Sequence, residues 1–253
     1  IISPLILPIL PSCLYLKTAF KVIRALRDLS AVIRIGGSII ASPIDPGVLY
    51  AYSSVIRRLA GMEYRLAVVV GGGEFARSLI SIAEKLGLAE EDKDEIAIEA
   101  SRIVALLLSK CLKDLTKGVI ARSIDEAKAM QDNGLLVVMG GLTPGMTTDS
   151  VAILLARRLK AEVIVKASKV DGIYDKDPNI YRDAKKLSKI KIEELKKIFA
   201  DVRYKAGINQ VIDPEACRLL SETPFRFIVV SGLTPENIVK ALEGYDIGSV
   251  IEP

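Results

Sequence analysis

The residues best suited to chemistry in this chain lie in one short segment, residues 166–178, which reads KASKVDGIYDKDP. The segment follows an apolar run, so it places two lysines at the end of a predicted strand. The Asp171-Gly172 pair predicts a turn that can bring the backbone close to a ligand. Lysine ammonium groups can bind phosphate oxygens, while Asp175 and Asp177 can accept hydrogen bonds from ribose hydroxyls or metal-bound water. A charged surface hairpin would explain the segment equally well if it stood alone.

Three glycine-rich turns also follow apolar runs in this chain. They read GGS at residues 36–38, GGG at residues 71–73 and GGLTPG at residues 140–145. In an open α/β sheet, ligands bind beyond the carboxyl ends of the strands, where bare backbone N–H groups can receive anions. Together with the lysine-rich segment, these turns predict one long crevice that binds phosphate groups.

Composition narrows the chemistry further. The chain has 253 residues, 50% of them hydrophobic, and can bury a large core. It contains no histidine, which excludes a Ser-His-Asp triad and histidine general bases. Its three cysteines are isolated from one another and predict core thiols in a reducing cytoplasm, not a disulfide framework or a zinc site. Because the net charge of +4 is spread along the chain and aromatic residues are few, we expect small anions as partners and not nucleic acid.

The first twenty residues, IISPLILPILPSCLYLKTAF, differ from the rest of the chain. They are apolar and almost uncharged, but their prolines would interrupt a membrane-spanning helix. We therefore expect residues 1–30 to be an appendage outside the core, with no membrane partner. A membrane anchor is the alternative.

From residue 31 onward, apolar strands alternate with helical periodicity. The predicted helices cover residues 47–60, 74–86, 93–113, 124–132, 150–159, 192–200, 214–220 and 235–242, and the predicted strands cover residues 32–35, 66–70, 118–121, 135–139, 163–165, 227–230 and 249–251. Strands that are apolar throughout are buried on both faces, which favours a parallel sheet covered by helices. We predict an α/β protein, a three-layer α/β/α sandwich with a central, mainly parallel sheet.

The segment GGGEFA at residues 71–76 also fits the dinucleotide fingerprint G-x-G-x-x-A. Acidic residues follow at the expected distance, at residues 90–92, but they lie in a polar connector and not at the end of a second strand. Hydride chemistry is therefore disfavoured. The P-loop pattern and the protein-kinase glycine loop are absent from the sequence, so phosphoryl transfer would have to use another fold.

Seven segments in order resemble the amino-acid kinase superfamily. They are RIGGS at 34–38, GGGEFAR at 71–77, KDEI at 93–96, GGLTPGMTTDS at 140–150, KASKVDGIYDKDP at 166–178, VIDPEA at 211–216 and GSVIEP at 248–253. Within the superfamily the chain is most similar to uridylate (UMP) kinases of the archaeal type. The resemblance implies an amino-acid kinase domain over residues 31–253, with an acceptor lobe at about residues 31–147 and an ATP lobe at about residues 148–253.

The resemblance also implies an activity in pyrimidine nucleotide metabolism, the transfer of the γ-phosphoryl group of MgATP to UMP. Its catalytic residues would be Arg34, Asp149, Lys166 and Asp213. The two carboxylates would order lysine side chains and Mg²⁺-bound water, so no protein metal site is expected. Family members often carry lysine in place of Arg34. From the residues alone, Arg34 could be a strand residue in a salt bridge, and each aspartate could be a helix N-cap.

The resemblance implies an acceptor site built from glycine backbone, hydroxyl groups and two charged side chains. Its residues would be Gly36, Gly37, Ser38, Gly72, Gly73, Arg77, Asp94, Thr143, Thr147 and Thr148. Arg77 would pair with the UMP phosphate and Asp94 would bind the ribose. Periodicity alone explains Arg77 as an exposed helix residue and Asp94 as a charge that favours the helix dipole.

The implied ATP-binding residues are Lys169, Val170, Asp171, Tyr174 and Asp177. Lys169 would face the ATP phosphates together with the catalytic lysine, and Asp171, Tyr174 and Asp177 would surround the ribose and adenine. Tyr174 could instead pack as an ordinary aromatic residue of a short hairpin.

Three alternatives to a UMP kinase stay open. The nearest is another small-acid kinase of the superfamily, acting on carbamate or an amino acid. An isopentenyl phosphate kinase is less favoured, because that branch uses a histidine that this chain lacks. The third is a non-catalytic oxyanion-binding protein on the same scaffold. The resemblance further implies a hexamer assembled from dimers, whereas the preference for UMP over CMP and regulation by GTP or UTP are left undecided.

Overall fold

The computed structural model describes residues 29–62, 64–176, 178, 180–200 and 211–252. The appendage predicted at residues 1–30 lies outside these ranges except for its last two positions, and so does Asp177. None of the helices in this part of the chain combines the length and apolar character needed to span a bilayer.

The described strands are β1 (Ser30–Ile35), β2 (Arg65–Val70), β3 (Val137–Met139), β4 (Val163–Ser168), β5 (Ile173–Tyr174), β6 (Lys186–Leu187), β7 (Lys189–Lys191), β8 (Arg226–Ser231) and β9 (Ser249–Glu252). Seven of them form one sheet in the order β3-β2-β1-β4-β8-β9-β7, while β5 and β6 pair separately as an antiparallel ribbon. Within the large sheet, every pairing is parallel except that of β8 with β9. The prediction of a mainly parallel sheet is confirmed.

The described helices are α1 (Gly37–Ile40), α2 (Pro46–Gly61), α3 (Gly73–Lys85), α4 (Glu90–Cys111), α5 (Lys113–Thr116), α6 (Ile124–Asp132), α7 (Thr148–Leu159), α8 (Ile192–Ala200), α9 (Pro214–Leu220) and α10 (Glu236–Leu242). They cover both faces of the sheet. Alternate residues of β1 therefore enter two different cores: Ile33 packs in a cluster with α2, α4 and α10, and Val32 packs in a cluster with α7 and α9. This burial on both faces explains why the strands are apolar throughout.

Residues 118–121 do not form the predicted strand. Lys117 and Gly118 both adopt left-handed conformations, with φ of 56° and 71°, and reverse the chain after α5. Only Ala121 then reaches the sheet, as an isolated bridge to Met139. The apolar run Val119-Ile120-Ala121 was therefore a wrong signal, since a short run cannot reveal the turn before it.

Strand β7 was missed by the sequence analysis. It lies at the edge of the sheet and has a single buried residue, Ile190, between two exposed lysines. An edge strand needs little apolar surface, and flanking lysines discourage pairing with another chain. Such a strand carries almost no hydrophobic signal.

Strands β1, β2 and β4 are parallel neighbours, so their carboxyl ends meet at one edge of the sheet. Two backbone hydrogen bonds join the strand ends. Gly36 N–H donates to the Ala167 carbonyl at 2.9 Å, and Gly71 N–H donates to the Ile35 carbonyl at 3.1 Å. The predicted glycine turns and the lysine-rich segment therefore lie side by side, as the sequence led us to expect.

Candidate active site

Two of the glycine turns touch each other backbone to backbone. A Cβ atom on Gly37 would lie 2.2 Å from the Gly73 nitrogen, and one on Gly73 would lie 2.1 Å from the Gly37 oxygen. Gly73 also has a φ of 56°, in the left-handed region. Glycine is thus required at both positions by packing between the turns, besides any approach to a ligand. Gly36 differs, because its amide is already bonded to Ala167 and is not free to bind phosphate.

A charged centre of Arg34, Asp149 and Lys166 lies directly beside these turns. Strand register pairs Arg34 with Lys166 on neighbouring strands, so two cations stand side by side. Asp149, the second residue of α7, lies between them: its Oδ1 is 2.7 Å from Arg34 Nε, and its Oδ2 accepts a hydrogen bond from Lys166 Nζ at 2.5 Å. Asp149 and Lys166 are only 5% and 3% exposed. One buried carboxylate therefore pairs with both cations and leaves the centre with a net positive charge.

The pKa values of this centre follow from burial and mutual charge. Burial lowers the pKa of Lys166 to about 8, the attraction of Asp149 opposes that shift, and the charge of Arg34 adds to it. Burial raises the pKa of Asp149, but the charges of Arg34 and Lys166 outweigh it and hold that pKa below its ordinary value. Asp149 is consequently ionised at neutral pH, and Lys166 is still mostly protonated there but loses its proton above about pH 8.

Arg34 makes a second contact, with Thr148. Its Nη2 donates to Thr148 Oγ1 at 2.8 Å, while its Nε meets Asp149 as an ion pair that is not aligned as a hydrogen bond. The salt bridge considered for Arg34 is therefore present. Because a guanidinium only donates, the Thr148 oxygen is the acceptor and the Thr148 hydroxyl hydrogen is available for another group.

The charged centre forms the floor of a central cleft with a volume of about 300 Å³. The cleft is lined by Arg34, Gly37, Ser38, Gly71, Gly72, Gly73, Arg77, Thr148, Asp149, Lys166 and Ser168. Arg77 is exposed at its rim and forms no hydrogen bond or ion pair with any residue that the structure describes. With two arginines, a lysine and the first turn of α3 facing it, the central cleft is suited to an anion with several negative oxygens.

A side cleft of about 320 Å³ adjoins the central cleft. Gly72 and Thr148 line both clefts, so the two share a wall. Asp94, Thr143 and Thr147 lie along the side cleft, as expected for one binding site. Asp94 Oδ2 accepts a hydrogen bond from the Gly145 amide at 2.7 Å, and Asp94 is otherwise exposed to the cleft.

Thr147 and Asp213 form a link between α7 and α9. Thr147 Oγ1 donates to Asp213 Oδ2 at 2.6 Å and accepts from the Ser150 amide at 3.2 Å. Thr147 is therefore the N-cap of α7, and the interpretation of Asp149 as that cap was wrong, because α7 begins one residue before it. The N-cap role of Asp213 is confirmed, since its Oδ1 accepts from the Ala216 amide at 2.8 Å.

The carboxylates leave little room for direct metal binding. Both oxygens of Asp149 face cations, and both oxygens of Asp213 accept hydrogen bonds. Across the described ranges, no group of three or more His, Cys, Asp or Glu side chains could hold a metal ion. Lys166 also donates to the Val211 carbonyl, which the sequence analysis did not foresee.

The predicted ATP-binding residues that the structure describes lie just beyond β4. Lys169 is exposed and makes no hydrogen bond or ion pair within the described part of the chain. Asp171 accepts from the Tyr174 hydroxyl at 2.8 Å and from Lys186 Nζ at 3.1 Å, which ties β5 to β6. Val170 is half-buried beside them.

Asp175, which the sequence analysis considered as an acceptor for ribose or metal-bound water, instead closes the β5–β6 ribbon. Its Oδ1 accepts from the Lys185 amide at 2.8 Å.

Ser101 and Arg102 of α4 also support the site, and sequence reasoning missed them. The Ser101 hydroxyl accepts from the Gly141 amide at 2.7 Å, and Arg102 donates to two carbonyls of the same turn, those of Gly141 and Leu142. Helical periodicity marks α4 as a helix but cannot show that one of its faces holds a turn from another part of the chain.

Comparison with known proteins relates this chain to one family. The model of the amino acid kinase family matches residues 30–231. The uridylate kinase of Methanobrevibacter smithii is 34% identical over 220 residues, which cover 87% of this chain and 97% of that protein. The uridylate kinase of Methanoregula boonei is 38% identical over 213 residues, 84% of this chain and 91% of that protein. The crystal structure of uridylate kinase from Archaeoglobus fulgidus superposes with a TM-score of 0.79 at 34% identity, and the match covers 87% of this chain and 99% of that one.

Proposed function

This chain belongs to the amino acid kinase family, and we propose that it is a uridylate kinase, which transfers the γ-phosphoryl group of MgATP to UMP and yields UDP. The observation that carries the proposal is the charged centre, which lies at the floor of the central cleft and beside the wall shared with the side cleft. Likeness to uridylate kinases over most of the chain supports the choice of substrate. Phosphoryl transfer depends mainly on alignment and charge neutralisation, which this chain can supply without histidine.

In the proposed mechanism, the bond between the γ-phosphorus and the β,γ-bridging oxygen breaks as a UMP phosphate oxygen bonds to that phosphorus. Arg34 and Lys166 face the transferring group from the floor of the central cleft and offset its negative charge. Asp149 holds both cations in place. Thr148 donates its free hydroxyl hydrogen to a phosphate oxygen, because its own oxygen already accepts from Arg34.

UMP occupies the acceptor lobe, at about residues 31–147, with its phosphate at the junction of the two clefts. Gly72 and Gly73 offer the N-terminal amides of α3, and Arg77 pairs with the phosphate from the rim. The nucleoside lies in the side cleft, where the free oxygen of Asp94 accepts from a ribose hydroxyl. Thr143 lines the same cleft. Thr147 donates its hydroxyl hydrogen to Asp213 and thereby positions that carboxylate.

MgATP occupies the ATP lobe, at about residues 148–253. Lys169 binds the phosphates, and the β5–β6 ribbon with Val170, Asp171 and Tyr174 flanks the nucleoside. Mg²⁺ enters as part of this substrate and keeps several waters, which Asp149 and Asp213 can contact through their remaining lone pairs.

We also propose that copies of the chain associate in the cytoplasm, as dimers within a hexamer, without nucleic acid or membrane. Helix α4 exposes Ile103, Leu106 and Leu107, and α3, which packs against α4, exposes Ile82. Grouped apolar side chains of this kind favour burial by another protein surface. A monomer in light scattering at micromolar concentration would contradict this proposal.

The test of the activity is one coupled assay with MgATP and each of UMP, CMP, aspartate, glutamate and carbamate. We expect UDP formation from UMP at the highest kcat/KM. Turnover of carbamate or an amino acid without turnover of UMP would identify another small-acid kinase. If no acceptor reacts while anions still bind, the chain is an oxyanion-binding protein.

A further inference from the structure

Helix α4 holds the turn at residues 140–142 by direct contact. A Cβ atom on Gly140 would lie 2.7 Å from the backbone nitrogen of Arg102, so the turn packs directly against the backbone of α4. Arg102 then reaches around the turn: its Nε donates to the Gly141 carbonyl at 3.2 Å and its Nη2 donates to the Leu142 carbonyl at 3.3 Å. The fork of one side chain thus spans two successive peptide groups.

The opposite edge of the Arg102 guanidinium is also occupied. Its Nη1 pairs with Glu99 Oε1 at 2.5 Å, and the side chain is 14% exposed. Glu99 in turn contacts Arg122 at 3.4 Å. The guanidinium is therefore neutralised and oriented on α4, with its carbonyl-binding edge directed at the turn.

The turn leads directly into the loop that lines the side cleft. Thr143 follows the two carbonyls bound by Arg102, and Gly145 is held by Asp94, which also belongs to α4. At its far end the loop joins α7 through the Thr147 cap. Residues 143–147 belong to no helix or strand, so side-chain contacts hold the loop in place. Met146 packs against the core cluster that contains α7, and Arg102 and Asp94 of α4 hold the backbone at residues 141, 142 and 145.

We propose that Arg102 is a positioning residue for the acceptor site: it sets the loop of residues 143–147 against the side cleft without touching a substrate. This inference rests on the proposed function, in which that loop contacts UMP. Arginine is needed because its planar fork reaches two carbonyls and a carboxylate at once, whereas one lysine ammonium cannot span all three.

The test compares Arg102→Lys with Arg122→Lys. Arg122 shares Glu99 with Arg102, but its side chain donates nothing to the loop, so it is the matched control. Losing the two charge-assisted bonds should raise KM for UMP about tenfold in Arg102→Lys, with KM for ATP changed by less than about twofold. Arg122→Lys should leave both constants within about twofold.

Two kinetic results would overturn the inference. An unchanged KM for UMP in Arg102→Lys is one, and an equal rise in both KM values together with a lower Tm is the other, since it indicates a general structural role. Amide hydrogen exchange provides a readout without turnover: residues 143–147 should exchange faster in Arg102→Lys, and residues of the β5–β6 ribbon should not. Unchanged exchange also refutes the inference. Failure of the wild-type protein to phosphorylate UMP would instead refute the proposed function.

Discussion

Replacing Asp149 by asparagine tests the charged centre most directly. The amide has nearly the same size as the carboxylate but no charge, so Arg34 and Lys166 lose the one negative charge that contacts both of them. The two cations would then stand on adjacent strands, largely buried, with only neutral acceptors beside them: Thr148, the Val211 carbonyl and the oxygen of the new amide. Asp149→Asn therefore changes stability and catalysis together.

The stability cost follows from burial. Removing one partner of a buried ion pair costs about 3–5 kcal/mol, because the remaining charge is left uncompensated. Lys166 can release its proton instead: in the wild-type protein its pKa of about 8 makes this cost about 1.4 kcal/mol at pH 7, and because the Asp149 charge raises that pKa, its loss lowers the cost further. Since Arg34 cannot release its proton, we expect the free energy of unfolding to fall by about 3 kcal/mol.

The catalytic cost should be larger than the effect on binding. A neutral Lys166 no longer offsets the charge of the transferring phosphoryl group, and Arg34 loses its fixed position. We expect kcat to fall about a hundredfold or more, which corresponds to about 2.7 kcal/mol of transition-state stabilisation. KM for UMP and for ATP should change much less, as for an interaction made mainly in the transition state.

Steady-state kinetics and urea unfolding check both expectations. Asp125→Asn is the matched control, because Asp125 forms an exposed ion pair with Arg158 whose loss should cost no more than about 1 kcal/mol. A folded Asp149→Asn protein with near-normal kcat would refute the catalytic reasoning. Wild-type stability in that variant would refute the claim that the Asp149 charge stabilises two largely buried cations.

Three further predictions concern other parts of the site. Arg77→Ala should raise KM for UMP by an amount worth about 2–4 kcal/mol and leave KM for ATP nearly unchanged, and a matching rise for ATP would place Arg77 outside the acceptor site. Gly73→Ala should destabilise the fold by about 3 kcal/mol or more in urea unfolding, because its Cβ would meet the Gly37 oxygen at 2.1 Å. Gly87→Ala, at φ of 71° with open space around it, should cost only about 1–2 kcal/mol, and equal costs would contradict the contact between the turns. The value of kcat/KM for ATP should fall above about pH 8, where Lys166 loses its proton. In Lys166→Arg this fall at alkaline pH should be absent. The unfolded chain binds this proton up to its ordinary pKa of about 10.4, so the contribution of Lys166 to stability should rise with pH between those two values.

Much of the fold could be predicted from the sequence because its signals are local. The apolar runs of β1 and β2 and the periodicity of α6 depend only on residues a few positions apart, and burial on both faces follows from their composition. Glycine after a strand likewise indicated which turns lie at the carboxyl edge of the sheet. Two predictions failed. The apolar run at residues 118–121 was too short to reveal the turn before it, and β7, an edge strand, has too few apolar residues to be recognised as a strand.

The tertiary structure alone decided how the candidate site is assembled. Strand order and register set Arg34 beside Lys166, although they are far apart in the chain, and α7 inserts Asp149 between them. The same long-range packing linked Thr147, the N-cap of α7, to Asp213. It also set Arg102 of α4 against a turn from another segment. Periodicity and capping signals report only on neighbours along the chain, whereas these contacts join residues such as Arg34 and Thr148, 114 positions apart, whose meeting depends on the whole sheet.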